Sequence, residues 1–201
     1  MPIWLADIYN LLLLGAEENP MLFICSDIHG DHQALRLTLA AFEHSGASHL
    51  ICLGDVLNHG PRNPVPEHYD PLAVAADLNA IAERIIAVRG NCDSEVDQAL
   101  CDFPLLADYN QLLMAKRKVF LCHGHNYGPE KLPPLAEGDI LVSGHSHIPQ
   151  ASKVSKHFLL NPGSVSMPRQ SWQASYALIT EQQLQVCRLS DHGVLLSCEL
   201  L

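Results

Sequence analysis

Five short apolar runs recur along the chain, and each breaks into glycine combined with Asp, Asn or His. Leu22-Phe23-Ile24-Cys25 leads into Ser26-Asp27-Ile28-His29-Gly30, and Leu50-Ile51-Cys52-Leu53 into Gly54-Asp55. Ile85-Ile86-Ala87-Val88 leads into Arg89-Gly90-Asn91-Cys92-Asp93. Val119-Phe120-Leu121-Cys122 meets His123-Gly124-His125, and Ile140-Leu141-Val142-Ser143 meets Gly144-His145-Ser146-His147. Runs this short, apolar throughout and closed by a turn residue, suit buried strands. Their polar tips are expected along one sheet rim, outside the carboxyl ends of the strands, where open α/β sheets bind ligands. If the first strand stays extended through its tip, Asp27 and His29 point to the same side.

Helical signals lie between these runs. Asp31 is placed to cap a helix over 32–44 with Leu35, Leu39 and Phe42 on one face. Asp70-Pro71 supplies a cap and a first helical position, opening a helix to about residue 83 with Leu72, Ala75, Leu78 and Ala82 inward. A third, short helix spans 94–101, capped by Asp93 or Ser94. The proline-rich loop 56–70 is long enough to be functional. It is expected to shape a substrate pocket together with residues 127–135 and a partner subunit, should one form.

The later chain reads differently. Residues 108–122 predict strand, turn and strand, with Lys116-Arg117-Lys118 as a solvated turn. A strand over 154–160 ends in Asn161-Pro162-Gly163-Ser164, a turn by composition. Three closing strands over 175–180, 184–189 and 194–201 form a meander. Helices early and hairpins late predict an α/β fold of two packed mixed β-sheets flanked by helices. Residues 21–201 contain no repeat or linker and read as one domain. Residues 1–20 are an N-terminal extension: either a helix built on Ile3, Trp4, Ile8, Leu11, Leu12 and Leu14, or a mis-assigned start ahead of Met21.

Composition narrows the function classes. A net charge of −10 argues against a general nucleic-acid binder, which would carry a basic face. No apolar run approaches the roughly 18 residues of a membrane span. The seven cysteines show no C-x-x-C pair, and Cys25, Cys52 and Cys122 fall inside strands, where a thiol acts as a small hydrophobe. That usage favours a reducing compartment, hence a cytoplasmic location, over a disulfide framework.

The tips carry the chemistry. A lone histidine at a strand end is ordinarily a surface or capping residue. Four of them (His29, His123, His145 and His147) with Asp27, Asp55 and Asn91 make seven oxygen and nitrogen donors at separate tips. One divalent ion takes four to six ligands, so seven imply two ions with one shared bridge. No thiolate is included, which excludes a structural zinc knot; the donor set suits Mn²⁺, Fe or Zn²⁺.

The ordered motifs D-x-H-G, G-D, G-N-x-D, H-G-H and G-H-x-H resemble those of the metallophosphoesterase (calcineurin-like) superfamily, from Met21 to the C-terminus. The resemblance is specific because five motifs must match in order. It implies a four-layer sandwich and a metal-dependent phosphodiesterase, a hydrolase of ester bonds whose attacking water is activated by two cations. Mn²⁺ is foremost, with Fe, Zn or Ni as alternatives. One cation falls to Asp27, His29, Asp55 and His147, and the other to Asp55, Asn91, His123 and His145. Asn91, Cys92 and His125 are the catalytic candidates, and His59, Arg62 and His125 the substrate-binding ones. Many members have His after the metal-binding Asn, where it can protonate a leaving group; Cys92 stands there in this chain. The expected partner is a small phosphodiester, and a homodimer or homotetramer remains open. The alternatives are a phosphomonoesterase, or the branch of the superfamily that keeps the fold as a protein-binding scaffold with little activity.

Overall fold

In the computed structural model, which describes residues 21–114 and 116–201, the first apolar run lies at the centre of the architecture. β1 (Leu22–Cys25) pairs in parallel with β2 (Leu50–Cys52), which pairs in parallel with β3 (Ile85–Ala87). On its other side β1 runs antiparallel to β9 (Ser175–Ile179). The meander continues through β10 (Gln183–Arg188) to β11 (Val194–Glu199), completing a six-stranded mixed sheet. The second sheet has five strands in the order β4-β5-β6-β8-β7. These are β4 (Tyr109–Met114), β5 (Arg117–Cys122), β6 (Ile140–Ser143), β7 (Gln150–Val154) and β8 (His157–Asn161).

Alternation along each strand sorts the core into layers, because successive side chains leave opposite faces of a sheet. Ile24, Ile51 and Ala177 face inward against Val119, Leu121, Val142 and Phe158, forming the core between the sheets. Phe23, Cys25, Leu50 and Cys52 face the helices, where Phe23 stacks on Tyr176 at 4.6 Å and meets Phe42 edge-on at 5.5 Å. The helices α1 (His32–Ser45) and α2 (Pro71–Asn79) cover this first sheet, and the short α3 (Glu95–Leu100) follows β3. Among the described residues the outer face of the second sheet is covered instead by loop residues Tyr127 and Leu135, over Phe120, Leu141 and Leu159.

Capping follows the sequence. The Asp31 carboxylate accepts from the Ala34 N–H, Asp70 caps Ala73, and Ser94 and Asp97 form a reciprocal box. Several expectations are corrected. The second helix stops at Asn79 rather than near residue 83, because the Asn79 amide is engaged with Leu100 and Asp102. Its buried positions are Val74, Ala75 and Leu78, while Leu72 faces solvent. The run 154–160 is not one strand: Ser155, at φ 55°, turns the chain between β7 and β8. Arg117 and Lys118 belong to β5, not to a free turn; Arg117 donates to the carbonyls of Gly138 and Leu200, and Lys118 Nζ to that of Pro134. The predicted helix within 1–20 lies outside the described residues. No described helix is long and apolar enough to cross a membrane.

Candidate metal centre

The five tips do meet, but from two sheets rather than along one. Those of β1, β2 and β3 contribute Asp27, His29, Asp55 and Asn91; those of β5 and β6 contribute His123, His145 and His147. The first tip is not extended. Asp27, His29, Asp55, His145 and His147 have φ between 51° and 64°, a left-handed region costly for residues with a Cβ. Neighbouring backbone holds them there. The N–H groups of Asp27, His29 and Gly30 donate to the carbonyls of Gly54, Asp55 and Val56, so β1 and β2 release their tips as one unit. Gly54, at φ 91°, lies against the backbone of Gly90, and a Cβ would come within 2.6 Å of the Gly90 Cα.

Three of the four imidazoles are oriented from behind. His29 Nδ1 donates to the Asn58 carbonyl at 3.0 Å, His123 Nδ1 to Leu53 at 2.7 Å, and His147 Nδ1 to Met167 at 2.6 Å. A neutral imidazole that donates through Nδ1 presents a bare lone pair at Nε2. These lone pairs converge on acceptors. His29 Nε2 and His147 Nε2 lie 3.4 Å apart, and both face Asp27 Oδ1, at 3.6 and 3.2 Å. His123 Nε2 faces Asn91 Oδ1 at 3.1 Å, His145 Nδ1 at 3.2 Å and Asp55 Oδ2 at 3.4 Å. Asp55 Oδ2 also lies 3.8 Å from His29 Nε2, between the two groups. Asp27 Oδ1 is buried and lacks a hydrogen-bond partner.

A cluster of acceptors with an orphaned carboxylate oxygen fits a cation, which would supply the missing positive charge. Three triads bring ligand atoms within 4.8 Å of one another: Asp27–His29–His147, Asp27–Asp55–His123 and His29–Asp55–Cys92. Cys92 is the weak member. Burial, then the Asp55 charge, pushes its thiol up to about 12, leaving a protonated sulfur that accepts from Asn91 Nδ2 at 3.2 Å. Without a cation, burial would lower the His123 pKa, but Asp55 and Asp27 overcome that and raise it to about 9. A cation at Nε2 takes the place of that extra proton. Asp27 is buried, which opposes ionisation, yet the His147 and His29 contacts hold its carboxyl well below the usual range.

The sequence places supports at Asp93 and in the turn Asn161–Ser164, and the structure supplies their contacts. Asp93, read as a tip-orienting or capping residue, accepts from the backbone N–H groups of Asp55, Val56 and Gly90 at 2.7–2.9 Å. The Ser164 and Ser166 hydroxyls both donate to the Asp27 carbonyl at 2.8 Å. The centre opens into a cavity of about 830 Å³ lined by Asn58, Arg62, Asn63, Cys92, His125 and Arg169, among others. Arg62 and His125 therefore lie where substrate contact was expected. His59 does not line this cavity: its ring meets Tyr69 edge-on at 5.2 Å. Residues 127–135 do not line it either; Tyr127 and Leu135 pack instead on the outer face of the second sheet. Arg169 had no motif to reveal it.

Fold and residues together define a phosphoester hydrolase, and the chain belongs to the calcineurin-like phosphoesterase superfamily, whose domain model matches residues 21–184. Phosphodiesterase YfcE of Escherichia coli (strain K12) is 50% identical over 174 residues, covering 87% of this chain and 95% of that protein. The solved structure of the E. coli YfcE phosphoesterase superposes with a TM-score of 0.88 at 48% identity, over 90% of this chain and 100% of that one. Vps29 of Entamoeba histolytica, solved with Zn²⁺, shares the fold, with a TM-score of 0.54 at 20% identity over 90% of this chain and 99% of that one.

Proposed function

We propose that this chain is a metal-dependent phosphodiesterase working with two divalent cations, Mn²⁺ foremost. Asp27, His29, Asp55 and His147 would hold one, and Asp55, Asn91, His123 and His145 the other, with Asp55 shared. The observation that carries the reading is the convergence of four imidazole lone pairs and an amide oxygen on two carboxylates, with Asp27 Oδ1 left unpartnered. The near identity in fold with YfcE, named a phosphodiesterase, supports the diester over the monoester. The filled donor positions weigh against a scaffold without activity.

When bound, a pair of such cations lowers the pKa of water to near neutrality and offsets charge on the phosphoryl oxygens. The chain's own residues do the rest. The carbonyls of Asn58, Leu53 and Met167 hold the Nδ1 protons of His29, His123 and His147, so Nε2 is the nitrogen each ring turns to the site. Asn91 and His125 border the cavity where the phosphate must enter. Cys92 is a neutral thiol beside it, a weaker proton donor than imidazole at neutral pH. The reaction therefore favours esters whose leaving group departs without much help.

Hydrolysis of bis(4-nitrophenyl) phosphate by the purified protein tests this. Turnover should require added Mn²⁺, vanish with chelator, and fall at least a thousandfold in Asp55→Asn. An active Asp55→Asn protein, or a wild type with no turnover in Mn²⁺, would overturn the proposal.

A further inference from the structure

On a chain of net charge −10, two arginines, Arg62 and Arg169, line the cavity that opens from the metal centre. The guanidiniums of Arg84, Arg89 and Arg188 each meet a carboxylate. Neither Arg62 nor Arg169 does so among the described residues. Arg169 is held by neutral groups only. Its backbone N–H donates to the His147 carbonyl at 3.2 Å, and its Nη2 lies 3.4 Å from Asn63 Oδ1. Asn63 is itself fixed, its Nδ2 donating to the His59 carbonyl at 2.9 Å. The loop 58–63 thus brings one guanidinium to the cavity, and the segment after β8 brings another.

A reacting phosphodiester carries one negative charge, and the metal centre would neutralise that charge. The two guanidiniums are surplus to it. The cavity, at about 830 Å³, is at the upper end of small-molecule sites and much larger than a phosphate group. Arg169 and Asn63 also border a second cavity of about 680 Å³, whose lining includes Val65, Met167 and the carboxylates Asp31 and Glu67, so an anion is favoured on the side of the metal centre and not beyond. Room therefore extends on both sides of Arg169. Planar guanidinium groups with unengaged donors are suited to bidentate capture of phosphate or carboxylate oxygens.

Building on the phosphodiesterase reading, we propose that Arg62 and Arg169 form a subsite for a second anionic group, so that the substrate class is a phosphodiester bearing a further phosphate or carboxylate. Arg169 is a specificity-determining residue in this arrangement, acting on the substrate's remote charge and not on the phosphorus under attack.

A matched pair of substrates tests this: the 4-nitrophenyl ester of thymidine 5′-phosphate, with and without a 3′-phosphate, turned over by the Mn²⁺-loaded protein. Wild type should prefer the doubly anionic ester by about tenfold or more in kcat/KM, the scale of a charged hydrogen-bonded contact. Arg169→Gln should collapse that preference mainly through KM, and inorganic pyrophosphate should inhibit wild type more strongly than Arg169→Gln. Equal losses on both esters would place Arg169 on the reacting phosphate and overturn the subsite, as would a wild type indifferent to the 3′-phosphate. Absence of turnover on either ester would instead sink the phosphodiesterase reading itself, and the subsite with it.

Discussion

Asp93 binds no cation in this scheme, yet three backbone N–H groups point at its buried carboxylate. Burial raises its pKa, and those N–H groups oppose the rise by stabilising the charge. Asp93→Asn keeps the shape but offers one acceptor and one donor, so an amide N–H must face a backbone N–H. Leaving a buried donor unpaired costs about 1–3 kcal/mol. Urea unfolding should therefore register a loss of that size, and Mn²⁺ titration a weaker affinity, because the Val56 N–H then faces the amide NH₂ and the loop carrying Asp55 loosens. An unchanged midpoint would mean the loop is held by other contacts. At this scale the sequence showed donors better than their supports. Asp27, His29, Asp55, His123 and His147 stand out because Gly flanks rare ligand types at strand ends. Ser166 and Arg169 do not: a hydroxyl that holds a carbonyl from beyond a turn, or a guanidinium across a cavity, leaves no local pattern. The extended tip expected at Asp27 and His29 failed for a related reason, since the hydrogen bonds that force positive φ come from residues 54–56.

The elements that were legible are those whose environment is set by their own residues. β1, β2, β5 and β6 are buried on both faces, so they read as continuous apolar runs, and their boundaries fall close to the expected ones. β7 is half-exposed, with Lys153 and Val154 in solvent, and carried no such run. The length of α2 depended on Asn79 meeting Leu100 and Asp102, a contact invisible to local periodicity. The same alternation yields a prediction. Ile51 is fully buried between the sheets, whereas Val154 is 49% exposed. Ile51→Ala opens a cavity where the sheets interlock and should lower stability by about 2–5 kcal/mol. Val154→Ala should change it by less than about 0.5 kcal/mol. Thermal or urea denaturation compares the pair. Similar losses in both would contradict the assignment of Ile51 to the layer between the sheets.

Over the molecule as a whole, the proposed centre joins what the chain otherwise holds apart. Asp27, His29, Asp55 and Asn91 rise from the first sheet; His123, His145 and His147 rise from the second. Below the centre the sheets are joined by apolar packing, which has no direction. At the rim directional polar contacts cross between them, such as the His145 N–H to Asp27 Oδ2 at 3.1 Å and His123 Nδ1 to the Leu53 carbonyl at 2.7 Å. A cation held by both sets is thus a crosslink between sheets, and it binds the folded chain alone, since no unfolded ensemble gathers donors from residues 27 to 147. Binding confined to the native state stabilises it by about 2.7 kcal/mol when free ligand is a hundredfold above Kd. For a domain of this size that corresponds to a rise of about 5–10 °C in Tm. Calorimetry should show that rise when Mn²⁺ is added to chelator-treated protein, and its reversal on renewed chelation. Asp55→Asn, which removes charge from a carboxylate facing both groups of donors, should flatten the response by more than half. A Tm indifferent to Mn²⁺ in the wild type would mean that the two sheets share no cation, and that the tips meet only through the contacts already visible between them.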